Sequence, residues 1–155
     1  MSEEENVRAK RRAMYLLGAK PYSEQGLYKK LLENYPQSVC ESVVSLMKEY
    51  GYLDDREYAR RYSHHLICTK HFGKRKAFYE MKMKGLDDEI IREALGEYDD
   101  EEICGQITEL LRKKYAEKLA DREQRQKVTA ALARRGYSFS DIKAAIEQVL
   151  REDYE

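Results

Sequence analysis

An internal period constrains this chain more than any other feature. Asn34, Gly85 and Gly136 fall 51 residues apart, and three such periods fill 153 of the 155 positions. Around each anchor the same order recurs: an apolar-periodic segment, the anchor, a short polar step, and a second apolar-periodic segment. Leu31–Val39 corresponds to Lys82–Ile90, and that to the longer stretch Leu132–Ile142. Upstream, Leu17, Cys68 and Leu119 share a phase, as do Ala13, His64 and Tyr115. Periods of this size mark arrays built from one supersecondary unit. Each unit is too small to hold a comfortable core alone, so neighbours stack, and such arrays usually present binding surfaces rather than catalytic pockets.

Apolar spacing is helical nearly throughout. Ile103, Ile107, Leu110, Leu111, Tyr115 and Leu119 form one stripe, and Val39, Val43, Leu46, Met47 and Tyr50 another. Ser38 with Glu41 has the spacing of a capping box. Asp54 or Asp55, Asp87 or Asp88, and Ser140 stand where helix caps belong. Gly51, Gly73, Gly85 and Gly136 can take the left-handed backbone that ends a helix, and Asn34 tolerates it in the first unit. These signals predict helices over 4–19, 23–34, 37–50, 55–70, 73–84, 87–97, 100–120, 121–135 and 139–152. The expected fold is all-α: three tandem three-helix repeats over 1–53, 54–98 and 99–155, forming an elongated, curved array.

Composition removes several classes of function. With 42% apolar and 37% charged residues the chain is neither disordered nor membrane-embedded. No stretch approaches the roughly 18 consecutive apolar residues of a membrane span. The opening Glu3-Glu4-Glu5 lacks the apolar region of a secretory signal. Three cysteines, Cys40, Cys68 and Cys104, are odd in number and lack redox or zinc spacing. A cytoplasmic monomer without a membrane partner is the expectation. Basic and acidic residues balance at 29 each, which argues against bulk electrostatic coating of nucleic acid.

Chemistry-bearing clusters are sparse. His64, Cys68 and His71 are spaced for one helix face, but a structural zinc needs four ligands and no second pair is visible. Asp54-Asp55-Arg56-Glu57 could gather a cation, yet a helix start explains the two aspartates without one. No nucleophile–base arrangement can be assembled, so no enzyme is expected. Most of the thirteen tyrosines, including Tyr28, Tyr50, Tyr58, Tyr62, Tyr79 and Tyr115, have the spacing of half-buried packing residues. Tyr52 and Tyr137 follow helix-ending glycines and should seal those turns against the core.

The basic runs are the candidate contact surface. Lys70, Lys74, Arg75 and Lys76 crowd a turn that ends one helix and starts another, and Arg134 and Arg135 precede Gly136. A solvated helix face is the plainer explanation of any charge run. Several cations beside free helix amides suit a phosphate or an acidic protein surface.

The stretch Gly51-Tyr52-Leu53-Asp54-Asp55-x-x-Tyr58-Ala59, then Lys70-x-x-Gly73, then Lys84-Gly85-Leu86 with Ile90 and Ala94-Leu95, resembles the RecX family of regulators of the RecA recombinase. Arg134-Arg135-Gly136-Tyr137-Ser138 and Ile142 are similar to that family's C-terminal repeat. The resemblance covers roughly residues 8–150. It implies a protein that needs no cofactor, binds RecA and its filament on single-stranded DNA within the filament's helical groove, and limits filament growth. Suppressed ATP hydrolysis, strand exchange and coprotease activity follow from the same resemblance. A stand-alone module binding single- or double-stranded DNA, or a generic interaction scaffold, are the rival readings.

Overall fold

The computed structural model describes residues 3–152. Among these, three helical triplets follow one another. The first is α1 (Glu3–Ala19), α2 (Glu24–Leu32) and α3 (Gln37–Glu49). The second is α4 (Asp55–His64), α5 (Lys74–Met83) and α6 (Asp88–Leu95). The third is α7 (Asp100–Leu110), α8 (Arg122–Arg134) and α9 (Phe139–Glu152). α4 runs into a π-helical turn, His65–Thr69, and α7 into another, Leu111–Tyr115, followed by a 3₁₀ turn, Ala116–Lys118. These wider and tighter turns replace the continuous helices expected over 55–70 and 100–120.

Two compact units divide the chain. One holds the residues up to Arg61 with Met81–Ile91, the other Tyr62–Glu80 with the residues from Arg92 onward, so the division runs through the middle repeat. In the first unit α1 packs on α3 and α2. Ala9 and Ala13, with no exposed surface, admit close approach, and Leu27, Leu31, Cys40, Val43 and Met47 fill the centre. In the second unit α9 packs on α7 and α8 through Ile142, Ala145, Ile146 and Val149.

Buried positions correct the period. Ala9, Leu16 and Leu31 correspond to Ala59, Leu66 and Met81, 50 residues on, whereas Cys40 and Val43 correspond to Ile91 and Ala94, 51 on. The extra residue in the second repeat is the left-handed Gly85, φ 83°, whose turn closes with Leu86 N–H to Met81 C=O. In the first repeat Tyr35 N–H bonds Leu31 C=O directly, and Asn34 is not left-handed. Asn34 is therefore no counterpart of the glycine. Met81, Leu86 and Ile91 correspond to Leu132, Tyr137 and Ile142 at a constant 51, so nothing is inserted between the second and third repeats there. Ser63 and Ile67 correspond instead to Ile107 and Leu111, 44 on, and seven additional residues fall in the turns before α8. The phases expected for Cys68 with Leu119 and His64 with Tyr115 do not hold: Leu119 is buried and Cys68 only partly so, while His64 is exposed.

Caps differ in detail. α3 starts at Gln37 behind Pro36, so Ser38 lies inside the helix, where a capping box cannot form. A capping box forms instead at α7, between Asp99 and Glu102. α9 is capped by Ser138, which accepts from Asp141 N–H, rather than by Ser140.

Candidate protein-interaction surface

The two compact units each contain a joint between successive repeats, and both joints use the same parts. In the first, Ser23, the cap of α2, accepts from Gly26 N–H and donates its own hydroxyl to Lys84 C=O at 2.5 Å. Gly85 lies against Gln25, whose Cβ would be 2.4 Å from a Cβ at position 85. In the second, Gly73 stands at the start of α5 and donates its backbone N–H to Arg135 C=O at 2.7 Å. Gly136 lies against the backbone of Lys76, 2.5 Å from a Cβ added there. In each case the start of a repeat's second helix receives the helix-ending glycine turn of the next repeat.

This arrangement explains the glycines separately. Gly51, Gly85 and Gly136 are left-handed, with φ 81°, 83° and 97°. Gly73 is not: the left-handed residue of that turn is His71, φ 55°. A Cβ at position 73 would sit 2.3 Å from the carbonyl carbon and oxygen of Gly136, so close backbone approach demands the glycine.

The second joint gathers the candidate cations, although the two basic runs lie some 60 residues apart in sequence. Arg135 donates through Nη1 to Lys70 C=O at 2.9 Å. Lys74 Nζ donates to Tyr98 C=O at 2.5 Å, and Arg75 Nη2 to Ala133 C=O at 3.0 Å. Those carbonyls end helices or follow them, where the helix dipole favours positive charge. Lys76 Nζ lies 4.2 Å from the centre of the Phe72 ring, with Lys70 Nζ at 5.7 Å. Lys70, Arg75 and Arg134 are exposed, and Lys74, Lys76 and Arg135 half-buried. A hollow of about 320 Å³ beside the joint is lined by Lys74 and Arg75 but also by Asp100 and Asp141. The cluster is thus a mixed-charge surface in which Lys74, Arg75 and Arg135 already hold backbone carbonyls.

Burial beneath the joint shapes its titratable groups. The Tyr137 hydroxyl is buried without a hydrogen-bond partner, and burial pushes its pKa above the ordinary phenol value. Burial likewise raises the Cys68 thiol, helped by Glu102 and Glu109. A raised thiol is a poor nucleophile. Among the described residues no three His, Cys, Asp or Glu side chains group to hold a metal ion.

The Gly51–Ala59 motif also resolves into parts. Leu53 and Ala59 are buried, whereas Tyr52 is 55% exposed. Tyr137 does seal its turn, but at the first glycine Leu53, not Tyr52, fills that role. Tyr58 is half-buried. Tyr50 and Tyr79, 49% and 70% exposed, depart from the expected half-buried packing. Asp54 caps α4 by accepting from Arg56 and Glu57 N–H. Its neighbour Asp55 reaches another helix, accepting from Glu24 N–H at the start of α2 at 2.9 Å. Burial raises the Asp55 carboxyl to about 6; the Glu24 N–H opposes this, while the Glu24 and Asp87 carboxylates add to it.

Sequence reasoning missed Ser23 and Gln25, and reached Lys84 only as part of the Lys84-Gly85-Leu86 motif. A serine ahead of the Glu24–Leu32 helix was legible as a cap, but its second bond across the joint leaves no sequence signal.

The fold is a helical-repeat architecture whose distinctive geometry is a repeated turn-on-helix joint. Three family models, described as the first, second and third three-helix domains of RecX, match residues 9–45, 54–95 and 100–146. Regulatory protein RecX of Prosthecochloris aestuarii is 30% identical over 151 residues, covering 97% of this chain and 99% of that protein. Regulatory protein RecX of Bacillus licheniformis is 37% identical over 121 residues, covering 76% of this chain. The chain covers only 44% of that relative's length and 47% of its Bacillus subtilis counterpart. The crystal structure of RecX from Lactobacillus salivarius superposes with a TM-score of 0.87 at 19% identity, over 96% of this chain and 98% of that one. A second crystal structure, of a regulatory protein RecX, gives a TM-score of 0.80 at 25% identity, over 90% of this chain and 72% of that one. The chain belongs to the RecX family.

Proposed function

We propose that this chain regulates the RecA recombinase, chiefly as an inhibitor. It binds the recombinase filament on single-stranded DNA within the filament's helical groove and limits filament growth, ATP hydrolysis, strand exchange and coprotease activity. The observation that supports this reading is the likeness of nearly the whole chain to a protein named as a regulator, over 99% of that protein's length. The chain acts without catalysis or cofactor, as a cytoplasmic monomer whose three repeats span residues 1–53, 54–98 and 99–155.

A multi-repeat chain suits a periodic partner. Engaging one recombinase protomer raises the effective concentration of the next contact. Lys70, Lys74, Arg75, Lys76, Arg134 and Arg135 form the contact surface for filament or DNA. Lys70, Lys76 and Arg134 are the members best placed for it, because the other three already hold carbonyls of the second unit.

The test is the single-stranded-DNA-dependent ATPase of the recombinase, titrated with this protein at two DNA concentrations. Inhibition at amounts well below the recombinase, unrelieved by added DNA, is expected. Relief by excess DNA, with steep loss of naked-DNA binding as salt rises, would favour a DNA-binding module. No effect at either DNA concentration would reject the reading.

A further inference from the structure

Among the described residues, the same helix face is covered in two repeats and open in the third. Residues 21–31 and 71–81 follow nearly one burial pattern, with Ser23 and Gly73 buried at matching places under the next repeat's turn. In the third repeat Val128 and Leu132 keep the buried places of Ala77 and Met81. Gln124 and Lys127, in the places of Gly73 and Lys76, are exposed. Beside them lies a hollow of about 390 Å³ lined by Tyr115, Lys118, Gln124, Lys127, Val128 and Ala131.

We propose that this hollow is a docking site for the helix-ending turn of a protein partner: a terminal helical carbonyl, a left-handed glycine, then an apolar residue. The occupants of the two equivalent faces define that chemistry. Both are glycine turns, Lys84-Gly85-Leu86 and Arg135-Gly136-Tyr137, and in both the residue after the glycine is buried. In both, a donor at the start of the receiving helix takes the carbonyl before the glycine: the Ser23 hydroxyl and the Gly73 amide.

α8 begins one turn before the place at which α2 and α5 begin, so the corresponding donor is the side-chain amide of Gln124. Lys118 and Lys127 supply the positive charge that a helix C-terminus attracts. Tyr115, Val128 and Ala131 offer the apolar floor. A second copy of this chain is a poor occupant. Its Gly85 and Gly136 turns are already engaged. At its open Gly51 turn the residue after the glycine, Tyr52, is exposed, while the residue that seals it, Leu53, lies one place further on and already fills its own core.

The first arm uses the full chain and a helix-stapled peptide with the sequence of residues 125–138, the segment that fills the equivalent face of the second repeat. Saturable NMR shifts centred on Gln124, Lys127 and Val128, lost when the peptide carries Gly136→Val, are expected. Shifts absent, scattered or indifferent to that substitution would overturn the docking site. The second arm rests on the recombinase reading. Lys127→Glu should raise the half-maximal inhibitory concentration at least tenfold with an unchanged melting temperature. A photo-cross-linker at position 127 should capture a recombinase peptide containing a helix-ending glycine. Capture of DNA, or of a second copy of the chain, would overturn the docking site. An unaltered Lys127→Glu would do the same, whereas failure of the unmodified protein to inhibit would remove the proposed function and leave the peptide arm decisive.

Discussion

The amide of Gly73 lies 2.7 Å from the carbonyl oxygen of Arg135, and this bond joins the start of α5 to the end of α8. Neither residue could be moved apart by a side chain without breaking the contact, because a Cβ on Gly73 would overlap the Gly136 peptide. Stacking here is backbone on backbone, and the surrounding cations serve it first.

Alanine at two left-handed glycines should therefore behave differently. Gly51→Ala meets nothing within 4 Å and bears only the left-handed backbone penalty, about 1 kcal/mol. Gly136→Ala adds a clash with the Lys76 backbone, for a loss of about 3 kcal/mol in all. Urea midpoints at constant slope give both values, and equal losses would mean that the joint tolerates the methyl group.

Ser23→Ala removes the α2 cap and the bond to Lys84 C=O together. A loss of about 1–2 kcal/mol is expected. Ser23→Thr keeps the hydroxyl and should recover most of it; a threonine variant as weak as the alanine one would argue against the hydroxyl's role.

Asp55 ties stability to pH. Its carboxyl is raised from 3.8 to about 6 in the folded protein, so the folded state holds this proton more tightly than the unfolded chain. Stability from this group is full below pH 3.8, falls as pH rises towards 6, and stays lower above that. For a half-exposed group the drop should be about 1–2 kcal/mol after solvent screening. Asp55→Asn keeps an oxygen for Glu24 N–H and should remove the drop, leaving the variant at least as stable as the parent at pH 7.5. Denaturation across pH 4 to 8 checks this, and an identical profile in the variant would assign the dependence elsewhere.

Adjacent arginines separate architecture from recognition. Arg135→Ala forfeits the bond to Lys70 C=O and should destabilise the protein by about 1–2 kcal/mol. Arg134→Ala, on an exposed side chain, should change stability by under about 0.5 kcal/mol while weakening recombinase inhibition several-fold. Calorimetry with the ATPase titration distinguishes them; the reverse pattern would exchange their roles.

Helix number and order were legible because apolar spacing reports local geometry directly. Register was less so: one left-handed residue at Gly85 and seven residues in the turns before α8 shift the phase without altering any stripe. The candidate site was legible only as a pair of distant basic runs. Nothing in Lys74-Arg75 or Arg134-Arg135 announces that they meet, since each contact is to a backbone carbonyl, which every residue carries. Gly73 read as a helix stop because φ and close approach demand the same residue type.

The two neighbouring aspartates also set a timetable. Asp54 closes a ring of two or three residues, so its contact can form as quickly as α4 itself, within about a microsecond. Asp55 must find an amide 31 positions away, and the entropy of closing that loop has to be met before the bond contributes. One residue thus reports the appearance of a local helix and the next the docking of remote chain. Tagging them separately would give two clocks, one peptide bond apart, for the order in which this molecule assembles.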